Sequence, residues 1–421
     1  MQHISRNDLV AHLFRHEYGK IVAILTGRFG TAHIENIEDA VQEALLKAMQ
    51  VWAFKAVPDN PTAWILRVAS NALIDTLRKH TRHTSFTPSG YDKAAFPEEP
   101  VLENAISDDQ LKMIFACCHP SLSGTHQIML TLKLVGGFNN TEIAHALLKG
   151  EEAVAKALTR AKKRLKSQLT TIHIPVEMGL SSRLYIVLKI LYLLFSEGYA
   201  TRLGKFLIKK DICFEAIRLA LLLTRNKYCN HPRAHALLAL MYFHASRFEA
   251  RIDAYGQLVD LEHQDRSKYH TGLIQTGLRH FGQSAEAGEF PSDYQLQAAI
   301  SYCHCIAPTY RETQWEEILR LYDLQLKRLY SPVVALNRII AYSKVAGAER
   351  ALRELEAFGK SPHFTGNTLF YATEAMLLTE MERRKKALKA LENAIALCEN
   401  DMEKAHLLKK KRCLESAVNP L

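Results

Sequence analysis

The stretch Glu38-Asp39-Ala40-Val41-Gln42-Glu43-Ala44-Leu45-Leu46-Lys47-Ala48, followed by Pro61-Thr62-Ala63-Trp64-Ile65-Leu66-Arg67-Val68-Ala69-Ser70-Asn71, decides how the front of this chain is read. Ile37, Ala40, Val41, Ala44, Leu45 and Ala48 recur at intervals of three and four, so they share one stripe of a helix. Its other side carries Glu38, Asp39, Gln42, Glu43 and Leu46. An acidic face with one apolar spot suits docking on a basic protein surface, although plain exposure is its commoner use. Residues 51–61 then read as a loop with two aromatics, Trp52 and Phe54, beside Lys55 and Asn60, and Pro61 stands where a helix can begin. The helix expected over 62–83 presents Trp64, Arg67, Asn71, Arg78, Lys79 and Arg82. Aromatics beside Arg and Asn offer stacking platforms and base-edge partners to an unpaired strand. Core packing is the competing use for at least one of Trp52 and Trp64.

Beyond this first block, 84–103 is polar and rich in Ser, Pro and Gly, as a flexible linker would be. A second block spans 104–170. Within it, Phe138 to Leu147 reads as a helix capped by Asn140 or Thr141, with Ile143, Ala144 and Leu147 apolar. A turn at Lys149-Gly150 leads into a second helix whose Val154, Leu158, Ala161 and Leu165 make a buried stripe. Lys156, Arg160, Lys163 and Arg164 lie opposite. From Lys149 to Lys166 there are seven basic and two acidic residues, so half of the net charge of +10 sits in these 18 residues. A helix of that kind can enter a major groove by its first turns and grip phosphates with its basic end.

The remainder, 171–421, reads as amphipathic helices of about 12 to 18 residues with short breaks. Ala351-Leu352-Arg353-Glu354-Leu355-Glu356 echoes Ala387-Leu388-Lys389-Ala390-Leu391-Glu392, 36 positions on, near the ~34-residue period of tetratricopeptide helix pairs. No sustained period-two run occurs, so the fold class expected is all-α: two small helical domains and a C-terminal helical repeat.

With 421 residues, 48% of them apolar and 23% charged, the chain has the make-up of a soluble globular protein of two or three domains. Its eight cysteines fall at no framework spacing and read as reduced thiols of a cytoplasmic protein. Cys117-Cys118-His119 and Cys303-His304-Cys305 lack the two-residue gap of a zinc grip, so no metal is expected. Met1 to Arg6 lacks the apolar core of a signal peptide. The apolar run from Leu184 to Phe195 is too short to span a bilayer.

Taken together, 38–48 with 61–71 resembles conserved region two of extracytoplasmic-function sigma factors of the sigma-70 superfamily. Thr141-Glu142-Ile143-Ala144 through Val154, with Arg160 to Leu165, is similar to their region four. Leu191 to Tyr199, Glu215 to Ala220 and Ser331 to Arg338 resemble the subgroup that carries a tetratricopeptide-like extension. The resemblance implies domains at 1–83 (region two), 84–103 (linker), 104–170 (region four) and 171–421 (extension). Asp39, Gln42, Glu43 and Leu46 would meet the clamp helices of the largest subunit of core RNA polymerase, with the flap region as a further contact. Phe54, Lys55 and Asn60 would hold a base flipped from the −10 element, with Trp64, Arg67, Asn71 and Arg78 along that strand. Glu152, Ala153, Lys156, Arg160, Lys163 and Arg164 would read or clamp the −35 element. The family usually starts this helix with Ser or Thr, where Gly150 stands, and often has a basic or polar residue where Ala157 stands.

No cofactor and no catalysis are expected: there is no phosphate-cradling glycine loop, Gly-x-Ser-x-Gly turn or His-Glu-x-x-His. The competing reading is a helix-turn-helix regulator or helical-repeat adaptor without polymerase binding. Against it, such a protein needs no acidic docking helix followed by an aromatic loop. The extension is expected to regulate, by folding back, by taking a ligand or peptide, or by engaging polymerase.

Overall fold

Helical periodicity carries through almost everywhere the computed structural model describes the chain, namely residues 6–52, 54, 56–82, 109–147, 149–174, 177–199, 209–255, 257–285, 291–359, 364 and 366–418. Among them there is no strand, only an isolated bridge between Ile252 and Leu258. The expected all-α class holds. The linker expected at 84–103 lies outside the described residues, as does Lys55. No described helix is long and apolar enough to cross a membrane.

Two compact units divide the chain, Met1–Leu193 with Arg225–Cys229, and Leu194–Thr224 with Asn230–Leu421. In the first, α1 (Arg6–Phe29), α2 (Ile34–Trp52) and α3 (Pro61–Arg82) pack together. Their core includes Ile21, Leu25, Ile37, Val41, Ile65 and Leu73, each fully buried. Next come α4 (109–117), then α5 (Gly124–Leu130), which runs into one π turn at Thr131–Val135. After them, α6 (Asn140–Leu147) and α7 (Glu151–Gln168) pack on each other, and α5 packs on α7. The start of α8 (Glu177–Tyr199) is tied to α4 by the Arg183 guanidinium, which donates to the Phe115 carbonyl at 2.5 Å.

The two sequence blocks of this unit are joined by direct packing. Helix α1 lies on the π turn so closely that a Cβ on Gly19 would stand 1.9 Å from the Val135 carbonyl oxygen. Only a residue without a side chain permits that approach. On the far side, the Thr31 N–H donates to the Thr170 carbonyl at 3.0 Å.

The second unit takes in the end of α8 with α9 (Lys210–Arg225), α10 (Pro232–Ala245), α11 (Thr271–Gln283), α12 (Asp293–Ile306), α13 (Trp315–Arg328), α14 (Pro332–Ala346), α15 (Ala348–Phe358), α16 (Thr368–Glu380), α17 (Arg384–Leu397) and α18 (Asp401–Val418). Successive helices from α10 onward pack on their neighbours. The 36-residue echo falls on α15 and α17, with Ala351 and Leu355 buried like Ala387 and Leu391. Between α10 and α11 the chain runs irregularly from 246 to 270 through three short 3₁₀ turns, which periodicity alone does not foresee.

Candidate polymerase-docking and nucleic-acid faces

On α2, Asp39, Gln42, Glu43 and Leu46 are all exposed, and their spacing of three, one and three sets them on one ridge. Leu46 is 60% exposed, an uncommon amount for a leucine on a packed bundle. Glu38 does not belong to that face. It is buried, accepts a 3.0 Å hydrogen bond from the Tyr18 hydroxyl and pairs with Lys162 of α7. Position 38 lies four residues after Ile34 and three before Val41, both buried, so the helix turns it inward.

The loop after α2 starts with Phe54 93% exposed. The rings of Trp52 and Trp64 stand 5.4 Å apart, tilted by 55°, and both are half-buried, so the two tryptophans pack on each other at the mouth of α2 and α3. Asn60 caps α3: its side-chain oxygen accepts from the Ala63 N–H at 2.9 Å, one residue ahead of Pro61 at the first helical position. Arg67, Asn71 and Arg78 are exposed, four and seven residues apart along the side of α3 that also bears Trp64. Ile65, Leu66, Ala69 and Leu73 face the core.

In the α6–α7 pair the cap differs from expectation. Asn139, not Asn140 or Thr141, closes the helix: its side chain accepts from the Glu142 N–H at 2.8 Å, and Glu142 accepts from the Asn139 N–H at 2.8 Å. Thr141 instead donates to Glu151 at 2.9 Å and so fixes the start of α7 against α6. Gly150 leads into α7 with no side-chain cap. Glu152, Ala153, Lys156, Arg160, Lys163 and Arg164 are all exposed, and Lys156 meets Glu152 at 2.5 Å. Val154, Leu158, Ala161 and Leu165 are buried as expected, and Ala157 joins them, which accounts for a small apolar residue there.

Lys162 and Lys166 turn the other way. Lys162 pairs with Glu38 and Lys166 with Glu35, while the Thr31 hydroxyl donates to the carbonyls of Leu169 and Thr170. Lys162 lies four residues after buried Leu158, the one local sign of its direction. Lys133, beside this seam, has its ammonium 5.9 Å from the Tyr18 ring centre. Burial pushes its pKa down, while burial and then Glu38 push the Tyr18 phenol up. Sequence reasoning missed the whole seam, whose partners stand more than a hundred positions apart.

Seven of the eight cysteines are buried and unbridged, and burial pushes the Cys118 thiol up to about 12. Among the described residues no group of three or more His, Cys, Asp and Glu is placed to hold a metal. In the second unit a cavity of about 690 Å³ opens between the 253–263 segment and α16, α17 and α18.

Helices α1 to α3 thus present an acidic ridge, an exposed aromatic loop and a basic flank in one bundle, and residues 13–83 match sigma-70 region 2. That match supports a sigma-70 family sigma factor with a role in transcription initiation. Residues 183–285 match a family of unknown function, DUF6596. An uncharacterized protein of Rhizobium meliloti (strain 1021) is 34% identical over 380 residues, covering 89% of each chain, and the present chain belongs to one family with it. No solved structure matches the chain.

Proposed function

We propose that this is a sigma factor of the extracytoplasmic-function type that binds core RNA polymerase, directs it to promoters and is modulated by its tetratricopeptide-like extension. In this reading the region boundaries are 1–83, 84–103, 104–170 and 171–421, and the protein works in the cytoplasm. The observation that carries it is the exposed ridge Asp39, Gln42, Glu43 and Leu46 beside Phe54, a protein-docking face next to a strand-binding loop on one small bundle.

The ridge meets the clamp helices of the largest subunit, and the flap region receives the 104–170 segment. Phe54, Lys55 and Asn60 frame the pocket for a flipped −10 base, with Trp64, Arg67, Asn71 and Arg78 along the strand; Asn60 serves through the shape it gives the loop. Lys156, Arg160, Lys163 and Arg164 grip −35 phosphates, while Glu152 and Ala153 face base edges. Phosphate contacts supply salt-dependent affinity and the base pocket supplies choice. Two weak readers on one particle gain from effective concentration. The α2–α7 seam holds both readers in one unit, so it parts before the two boxes are spanned. No bond is made or broken by this chain.

Run-off transcription with purified core polymerase and a genomic promoter library tests the proposal. New discrete starts that share two spaced upstream boxes support it. A chain that neither binds nor redirects the core is a regulator or adaptor instead. Removing 171–421 and comparing transcription reads the role of the extension.

A further inference from the structure

Among the described residues, three arginines of the second unit stand without a carboxylate partner. Arg247, in the turn after α10, is only 7% exposed. Its guanidinium donates to the Tyr199 hydroxyl at 3.2 Å and lies 3.4 Å from the His244 Nδ1. Arg251 stacks over the same tyrosine, 4.0 Å from the ring centre, and donates to its carbonyl at 3.2 Å. Arg266 donates to the Tyr269 hydroxyl at 2.5 Å and to the His304 carbonyl at 2.7 Å. Every one of these acceptors is neutral. Among the described residues no Asp or Glu pairs with any of the three, and the chain from 200 to 208, which follows Tyr199, contains no acidic residue.

A buried charge without a counter-charge is expensive, and buried donors without acceptors add to the cost. Here three shielded nitrogens lack a partner: Arg247 Nε, Arg266 Nη2 and His304 Nδ1. They belong to one neighbourhood. Burial first, then Arg247 and Arg266 together, hold the His304 pKa down at about 3. Burial, with Arg247 and Arg251 next, likewise holds His244 well below the usual histidine range. Both imidazoles are therefore neutral at pH 7, and among the described residues no carboxylate compensates the guanidinium charges.

We propose that Arg247, Arg251 and Arg266 form a binding site for a small tetrahedral oxyanion of the phosphate type. Guanidinium groups match such oxygens in geometry and charge, and a dianion offers acceptors to the Arg247 Nε and the Arg266 Nη2. Neutral His304 in its Nδ1–H tautomer supplies a further donor. Because the unpartnered nitrogens are shielded from solvent, the free inorganic anion fits better than a phosphate carried on a bulky ester. The inference does not rest on the sigma reading.

Calorimetric unfolding of the full chain in inorganic phosphate, against chloride at matched ionic strength, tests it. Above the dissociation constant, the folded-to-unfolded ratio should rise about tenfold for each tenfold rise in phosphate. Arg266→Met and Arg247→Met should each abolish that dependence. In case those variants do not fold, hydrogen exchange of the unaltered chain should show phosphate slowing residues 244–251 and 264–270. No phosphate effect, an effect that persists in both variants, or slowing only elsewhere would overturn the proposal. Adenosine monophosphate in place of inorganic phosphate separates the sources: weaker binding supports the free anion, and equal or tighter binding overturns that assignment.

Discussion

The outer face of α7 and the interior of the second unit use the same kind of side chain to opposite ends. Arg160 and Arg164 stand in solvent, where a guanidinium is fully hydrated and costs the fold nothing. Arg247 and Arg266 reach inward, bonded to phenols and a carbonyl, and weaken the fold unless an anion joins them. Lys162 lies between these extremes, half-buried and paired with buried Glu38. Exposure makes a cation available to a partner, whereas burial makes it a condition on the fold. Sequence composition, which counts all of them as +1, cannot tell them apart.

The largest break in this contrast should come from Lys162→Met. With side chains only 13% and 5% exposed, the pair leaves Glu38 buried against Tyr18 once its cation is gone. We expect a loss of about 3–5 kcal/mol in denaturant unfolding of the first unit. Adding Glu38→Gln should restore much of it in a double-mutant cycle, and no restoration would mean that the pair is not what the seam depends on. Gly19→Ala acts on the same seam through sterics, at about 1–3 kcal/mol.

Acid comes next. The folded pKa of His304 is about 3 and that of His280 about 4, each lowered first by burial. A depressed folded pKa gives stability that is whole above the ordinary value near 6.5 and is lost as pH falls from there towards the folded value. Between about pH 6 and 4 each such histidine should remove up to ~1.4 kcal/mol per pH unit. His304→Gln should flatten the curve measured by thermal unfolding against pH; an unchanged slope would place the acid sensitivity elsewhere.

Exposed cations should behave differently. Arg160→Ala should leave stability within about 0.5 kcal/mol, yet lower the salt slope of DNA binding by about one. Smallest in stability is Leu46→Glu on α2, expected to be neutral in unfolding while weakening association with core polymerase in a pull-down or calorimetric titration. A large stability loss in either variant would make its face structural.

How far the sequence leads follows the same division. Helices, apolar stripes and the exposure of Asp39, Gln42, Glu43 and Leu46 and of the outer side of α7 are local, set by three- and four-residue spacing, and they were legible. Asn60 and Asn139 show the limit at helix ends, where a shift of one residue changes which side chain caps. Glu38 was misplaced because its partners, Tyr18 and Lys162, lie 20 and 124 positions away. Arg247, Arg251 and Arg266 were invisible for a related reason. They lie on an irregular segment where periodicity is silent, and arginine is ordinarily taken as a surface residue.

The separation of 124 residues between Glu38 and Lys162 also sets a timetable. At roughly 5–20 residues per second of synthesis, α2 leaves the ribosome about 6–25 s before the helix that covers it. Through that interval Glu38 has no lysine and the first bundle stands alone. Every molecule thus passes through a form in which Glu35 and Glu38 lack their lysines before the paired form is made.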